Sequence, residues 1–205
     1  MRIVATNLGK RFNREWIFKG FSFEFIPNKI YAIVGPNGSG KSTLLQVLWG
    51  QMLPSTGELV YQQGDQNILI SEVFNHLSIA TPYMDLIEEF TLEEMVKFHF
   101  KFKSINSNLT ISQVIEATGL AGSKDKTIAN FSSGMRQRLK LGLAFHTKSE
   151  VMYLDEPTTN LDKGAIQWYW DQLNQLIGKK TILIASNVDT EYPTEAKKID
   201  ILAFK

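Results

Sequence analysis

Eight consecutive residues, Gly35-Pro36-Asn37-Gly38-Ser39-Gly40-Lys41-Ser42, constrain this chain more than any other segment. They fit the pattern G-x-x-x-x-G-K-[ST] of a phosphate-binding loop. Its glycines leave backbone N–H groups free to converge on phosphate oxygens. Lys41 adds a point charge at the outer phosphates, and Ser42 offers a hydroxyl to Mg²⁺. The chemistry needs a strand feeding the loop and a helix leaving it, since the positive end of the helix dipole then also faces the anion. Lys29-Ile30-Tyr31-Ala32-Ile33-Val34 reads as that buried strand and Ser42-Thr43-Leu44-Leu45-Gln46-Val47-Leu48-Trp49 as that helix. A nucleotide is the expected ligand.

Composition narrows the partners. A chain of 205 residues holds one full core and room for a small subdomain. Lysines and arginines number 22 against 21 acidic residues, for a net charge of +1, so no basic field argues for nucleic acid. The apolar runs are strand-sized and none is long enough to span a bilayer. Polar residues follow Met1 to Asn7 at once, so no secretory leader is expected. Cysteine is absent, which excludes disulfides, thiolate metal sites and cysteine nucleophiles and fits a cytosolic location.

Along the chain, strand-like runs alternate with helical ones. Ile3 to Ala5 and Phe21-Ser22-Phe23-Glu24-Phe25 read as strands, the latter half-buried by its period of two. Pro54 to Gly57 reads as a turn before a short strand over Glu58 to Tyr61, and residues 78–90 read as irregular around Pro82. Thr91 and Glu94 are spaced as a capping box, which predicts a helix even though Phe98, Phe100 and Phe102 alternate as in a strand. Residues 110–119 and 132–146 read as helices. Val151 to Leu154 and Thr181 to Ala185 are continuous apolar runs, the mark of strands covered on both faces, and Ile199 to Phe204 reads as a last edge strand. The alternation predicts an α/β fold around a mainly parallel sheet.

The strand Val151 to Leu154 runs into Asp155-Glu156-Pro157. It would deliver Asp155 to the carboxyl edge of the sheet, where open α/β folds bind their ligands and where the Mg²⁺ of a phosphate loop is completed. Glu156, one residue on, can orient or deprotonate a water facing the terminal phosphate. Asn130-Phe131-Ser132-Ser133-Gly134 opens another helix, with Ser132 or Ser133 as N-cap; such a start can also hold an anion on its N–H groups.

Taken in order, these motifs resemble the nucleotide-binding subunit of an ATP-binding-cassette (ABC) transporter, over essentially the whole length. Gly35 to Ser42 matches Walker A. Phe131-Ser132-Ser133-Gly134-Met135 matches the signature, usually Leu-Ser-Gly-Gly-Gln, with three substitutions. Val151 to Glu156 matches Walker B with the catalytic glutamate, and Thr159-Asn160-Leu161-Asp162 matches the D-loop, though Asp162 can equally be a helix N-cap. Phe12 sits where the family places an aromatic that stacks on adenine, with Trp16 as rival.

The resemblance implies one ABC ATPase domain over residues 1–205: a P-loop NTPase core over 1–82 and 146–205, with an N-terminal antiparallel β subdomain, and a small helical subdomain over 83–145. It implies ATP held by Phe12, Gly35, Pro36, Asn37, Gly38, Ser39, Gly40, Lys41, Ser42 and Thr43, with Ser132, Ser133 and Gly134 completing the site of a second cassette. It implies Mg²⁺ on Ser42 and Asp155, and hydrolysis by Glu156 and Lys41 with Asn187. A homodimer or paired cassette follows, as does a separate transmembrane permease that docks on residues 78–103 and holds the chain at the cytoplasmic face of a membrane. Soluble ABC ATPases of DNA repair or translation are a second reading, and a slowly hydrolysing ATP-gated switch a third.

The transporter subunit is the favoured reading, and two departures motivate the third. Where the family usually has a histidine at the terminal phosphate, this chain reads Ser186-Asn187-Val188, and Asn187 donates a hydrogen bond without charge or proton relay. Where it usually has a glutamine near Mg²⁺, this chain reads Thr81-Pro82-Tyr83, with Asp85 and Glu88 as the nearest substitutes. His76, His99 and His146 are expected as packing or surface residues.

Overall fold

The computed structural model describes residues 1–106 and 109–205. Two sheets and three hydrophobic clusters make up the described chain. The first sheet is antiparallel, in the order β2-β1-β4-β5, from β1 (Arg2–Phe12), β2 (Glu15–Phe25), β4 (Thr56–Gln63) and β5 (Gln66–Ile68). The second has five strands in the order β6-β7-β8-β3-β9, from β3 (Ile30–Val34), β6 (Leu77–Ala80), β7 (Val151–Asp155), β8 (Thr181–Ser186) and β9 (Lys197–Asp200), and every pair in it is parallel.

The apolar runs are continuous because both faces of the parallel sheet are covered. Tyr31, Ile33, Tyr153, Leu183 and Ala185 face a cluster shared with the antiparallel sheet and with helix α1 (Lys41–Leu48). Ala32, Met152, Leu154, Ile182 and Ile184 face a second cluster, built with α6 (Lys163–Leu176) and one side of α5 (Ser133–His146). The interiors of β3, β7 and β8 are dry on both sides, so their polar residues are confined to the strand ends. Phe21 and Phe25 are fully buried while Ser22 and Glu24 are exposed, the half-buried pattern that period-two alternation predicts.

A third cluster joins α3 (Leu92–Phe102), α4 (Ile111–Ala117) and the other side of α5 through Val96, Val114, Leu139 and Leu143. The short helix α2 (Ile70–Val73) precedes β6 and buries Val73 in the first cluster. Helix α5 therefore belongs to two cores: Leu139 and Leu143 pack with α3 and α4, while Leu141, Ala144 and Phe145 pack on the sheet.

The cap prevails over the alternation at residues 98–102, because Thr91 satisfies orphan donors that no strand register would. Its hydroxyl accepts from the Glu94 N–H at 3.2 Å while the Glu94 carboxylate accepts from the Thr91 N–H at 2.8 Å. Thr110 and Gln113 form a second capping box at the start of α4. Two expectations are corrected. The segment read as irregular from residue 78 contains β6, whose register with β7 pairs Leu77 with Val151 and Ala80 with Leu154. The last run is strand only to Asp200. There the Asp200 carboxylate accepts from the Leu202 N–H at 2.9 Å and turns the chain into a 3₁₀ segment, Ile201–Phe204.

Replacing Thr91 with alanine removes one arm of the box and leaves Glu94 without its partner hydroxyl. The expected cost is about 1 kcal/mol in urea unfolding. An unchanged midpoint would show that tertiary packing alone holds the start of α3.

Candidate functional site

Three parallel strands end side by side. Val34 pairs with Ser186, and Asp155 pairs with Ala185, so the loops leaving β3, β7 and β8 emerge at one edge of the sheet. The loop after β3 is Gly35 to Gly40. Gly40 has φ +100, and a Cβ there would fall 2.5 Å from Ile17 Cγ2 on β2, so the position accepts only glycine. The antiparallel sheet thus presses directly on the loop. Helix α1 starts at Lys41, whose first N–H groups have no intrahelical acceptor. Its far end is held by two buried tyrosines: Tyr61 and Tyr153 both donate to the Leu48 carbonyl, at 3.1 and 2.8 Å.

Lys41 is buried, and its ammonium donates to the carbonyls of Gly35 and Pro36, both at 3.0 Å. The loop closes on its own lysine with donors that an anion can take over. Asp155 is buried at the end of β7. Burial raises its pKa from the usual 3.8 to about 6, and the neighbouring charges of Glu156 and Glu191 push the same way. A hydrogen bond from Ser42 and the charge of Lys41 oppose the rise. Its Oδ1 has no hydrogen-bond partner among the described residues. A buried carboxylate oxygen left unpaired, with a serine hydroxyl on the same group, is a pair of hard oxygen donors that a divalent cation satisfies. Ser42 and Asp155 therefore fit Mg²⁺.

Glu156 follows in the left-handed region, at φ +45, with its N–H on the Ala185 carbonyl at 2.9 Å. Such a conformation costs energy and is kept where surrounding structure enforces it. Asn187, after β8, shares a cleft of about 480 Å³ with Gly35, Pro36 and Asn37. The sheet edge thus brings together the loop, Ser42, Asp155, Glu156 and Asn187. Thr43 lies in the first turn of α1, half-buried, and Ser39 is buried with its hydroxyl unpaired among the described residues.

The other predicted residues are placed apart from this edge or on the surface. Phe12 ends β1 as a 45% exposed ring with the Lys10 ammonium 5.3 Å away, and Trp16 lies across the hairpin between Arg11 and Lys19. Ser132, of the two candidates, is the N-cap of α5, its hydroxyl accepting from Met135 N–H at 3.2 Å. Ser133 and Gly134 form its first turn, and a Cβ on Gly134 would meet the Asn160 carbonyl at 2.7 Å. Asp162 caps α6, accepting from Ala165 N–H at 2.8 Å.

Where a glutamine was expected, Thr81 is buried and Tyr83 is 74% exposed. The ammonium of Lys140 holds this corner by donating to the Pro82 carbonyl at 2.8 Å. Glu88 is paired instead with Arg136. The histidines lie elsewhere. His76 bonds Glu150 at 2.8 Å, His99 bonds Thr147 at 2.9 Å with burial lowering its pKa to about 4, and burial also lowers that of His146.

Two residues at the site were missed in the sequence. Gln137 on α5 donates to the Pro157 carbonyl at 2.9 Å, behind Glu156. Glu191 accepts from the Thr158 N–H at 2.9 Å. Neither stands in a motif that points to it; Gln137 reads as a polar helix residue and Glu191 as a solvated acid in a turn.

A family model described as ABC transporter matches residues 18–159. The chain is 29% identical over 204 residues to an uncharacterized ABC transporter ATP-binding protein, YcbN, of Bacillus subtilis, covering 98% of this chain and 66% of that one. It is 28% identical to the Nod factor export ATP-binding protein I of Rhizobium meliloti, covering 92% and 58%. The chain thus spans about two thirds or less of these relatives. Among solved structures, a putative ABC transporter ATP-binding protein from Pyrococcus furiosus superposes with a TM-score of 0.82 at 15% identity, covering 100% of this chain and 99% of that one. A bacterial Atm1-family ABC exporter with ATP bound gives 0.76 at 20% identity, covering 91% and 34%.

The raised pKa of Asp155 has a definite sign. Between about pH 4 and 6 the folded chain holds a proton that the unfolded chain has released, so this group's contribution to stability falls as pH rises through that window. Without metal, Asp155→Asn should melt higher than the parent near pH 8, by of order 1–3 kcal/mol, with the advantage gone near pH 4. Thermal scans at the two pH values, with and without Mg²⁺, read this. A parent that is the more stable of the two at pH 8 without metal would contradict it.

Proposed function

The chain belongs to the ABC transporter family, and on that premise we propose that it is the ATP-binding and ATP-hydrolysing subunit of a transporter. In this reading it dimerises around ATP and drives a separate membrane subunit from the cytoplasmic face. The observation that carries the chemistry is the sheet edge itself, where Lys41, Ser42, Asp155, Glu156 and Asn187 meet around one loop.

Each residue's task follows from its surroundings. The N–H groups opening α1 and the loop bind the phosphates. Lys41 exchanges two carbonyls for phosphate oxygens and stabilises the charge that transfer develops. Ser42 and Asp155 would hold Mg²⁺, which would supply positive charge to offset that of the phosphates. Glu156 orients the attacking water and accepts its proton. Asn187 donates a hydrogen bond to the terminal phosphate. Phe12 offers an exposed ring to adenine, and Ser132, Ser133 and Gly134 complete the site of a paired cassette. Residues 83–145 act as the helical subdomain of that cassette and the remainder as its nucleotide-binding core.

No described helix is long and apolar enough to cross a membrane, and this reading assigns the crossing to a separate membrane subunit. A mostly apolar groove of about 590 Å³ runs between the two parts of the fold, lined by Trp49, Ile70, Phe74, Tyr83, Phe98 and Phe102. Phe74, Tyr83 and Phe102 are each more than half exposed. A helix of the membrane subunit is the proposed occupant, since burying these rings is favourable. Phe98 and Phe100 also pack on the helical core, which leaves Phe102 as the freest of the three alternating rings.

A second reading rests on Asn187 and Lys140. With an uncharged amide at the terminal phosphate and a lysine at the corner where a glutamine was expected, the cassette hydrolyses slowly and works as an ATP-gated switch. Steady-state turnover decides. The transporter reading expects Glu156→Gln to lower kcat by about 100-fold or more while ATP still binds, and ATP to convert that variant to a dimer in light scattering. A parent no faster than Glu156→Gln, even with its membrane partner, would favour the switch. In pull-downs, Phe102→Asp should lose a membrane protein that the parent retains while binding ATP normally; equal recovery would remove the groove from the docking surface.

A further inference from the structure

Glu191 is only 3% exposed, and no cationic side chain pairs with it among the described residues. It lies on the 3₁₀ turn Asp189–Glu191 after β8. Its two oxygens serve different turns. Oε1 accepts from both the N–H and the hydroxyl of Thr158, at 2.9 and 2.5 Å. Oε2 accepts from the Ser186 hydroxyl, which in turn accepts from the Val188 N–H at 2.8 Å. The Glu191 carbonyl is itself held, by Tyr169 of α6 at 2.7 Å.

A buried carboxylate without a cation is costly, and here it also adds negative charge beside Asp155. Filling space does not require one. The three donors it gathers point to another use. Thr158 stands two residues after Glu156, which is held in the left-handed region, and Ser186 and Val188 flank Asn187. Among the described residues, the only other hydrogen bond between these turns is the Glu156 N–H on the Ala185 carbonyl.

We infer that Glu191 is a positioning residue that fixes the Asn187 turn to the Glu156 turn, so that the water-orienting group and the phosphate-facing amide keep one geometry. The inference rests on the ATPase reading above for its consequence in turnover, and on hydrogen bonding alone for the coupling. It identifies hydrogen-bond geometry, not charge, as what the site uses. Glutamine at 191 keeps an acceptor for Thr158 and offers a donor to Ser186, which can then donate to the Val188 carbonyl it already contacts at 3.1 Å.

The test has two arms. Hydrogen exchange on the nucleotide-free chain reads the coupling. Glu191→Ala should speed exchange in both 157–161 and 186–190, and Thr158→Val should speed it in 186–190, a segment Thr158 reaches through Glu191. Should Glu191→Ala not fold, Thr158→Val and Glu191→Gln still decide. Faster exchange confined to the mutated turn would overturn the inference. Turnover is the second arm: Glu191→Ala should lower kcat by about 10- to 100-fold with KM for ATP nearly unchanged, and Glu191→Gln should restore most of it. An unaltered kcat in Glu191→Ala, or a KM that rises as far as kcat falls, would also overturn it. If the parent neither binds nor hydrolyses ATP, the ATPase reading fails, while the exchange arm still decides whether Glu191 couples the turns.

Discussion

A carboxylate oxygen buried at the end of a strand, with no hydrogen-bond partner among the described residues, is the feature around which this structure is arranged. Asp155 has Ser42 and Lys41 to stabilise its charge and Glu156 and Glu191 to oppose it, and it is buried, so negative charge outweighs positive around it. The chain holds that imbalance because β7 is gripped on both faces: Tyr153 packs in one core, Met152 and Leu154 in the other. Stability is given up at this edge, and a bound cation would offset the excess negative charge.

The same edge reaches the rest of the molecule through a small number of contacts. Gly40 is pressed by Ile17, so the phosphate loop is backed by the antiparallel sheet. Gln137 ties α5 to the carbonyl of Pro157, immediately behind Glu156. Since α5 packs in the sheet core and the helical core alike, a change at the acidic strand end has a rigid element on which to act. The apolar groove lies between those same two parts, with Ala144 of α5 and Met95 of α3 both on its wall.

Much of this was legible in the sequence, because the strongest signals are local. A buried parallel strand must be apolar throughout, which made β3, β7 and β8 readable, and the loop after β3 carries a mechanism in its glycines. The capping box at Thr91 resolved a conflict between two periodicities. What escaped had weak local signals. Strand β6 is four residues long, interrupted by Ser78 and followed by Thr81-Pro82, so only its pairing with β7 reveals it. Strand β9 ends at Asp200 because a side chain competes for the backbone, while Ile201 remains buried and reads as strand by hydropathy. Glu191 was invisible for a different reason: an acid in a polar turn is solvated by default, and only the fold brings Thr158 and Ser186 to it.

The central claim is that one triphosphate and its metal are gripped jointly by the loop at 35–42 and the acidic strand end at 155–156. Calorimetric titration of the folded chain with a non-hydrolysable ATP analogue, with and without Mg²⁺, addresses it most directly. The account predicts saturable binding at or below about 1 mM that is strengthened by Mg²⁺ and lost in Lys41→Ala. No heat of binding in that range, or identical isotherms for the parent and Lys41→Ala, would contradict it.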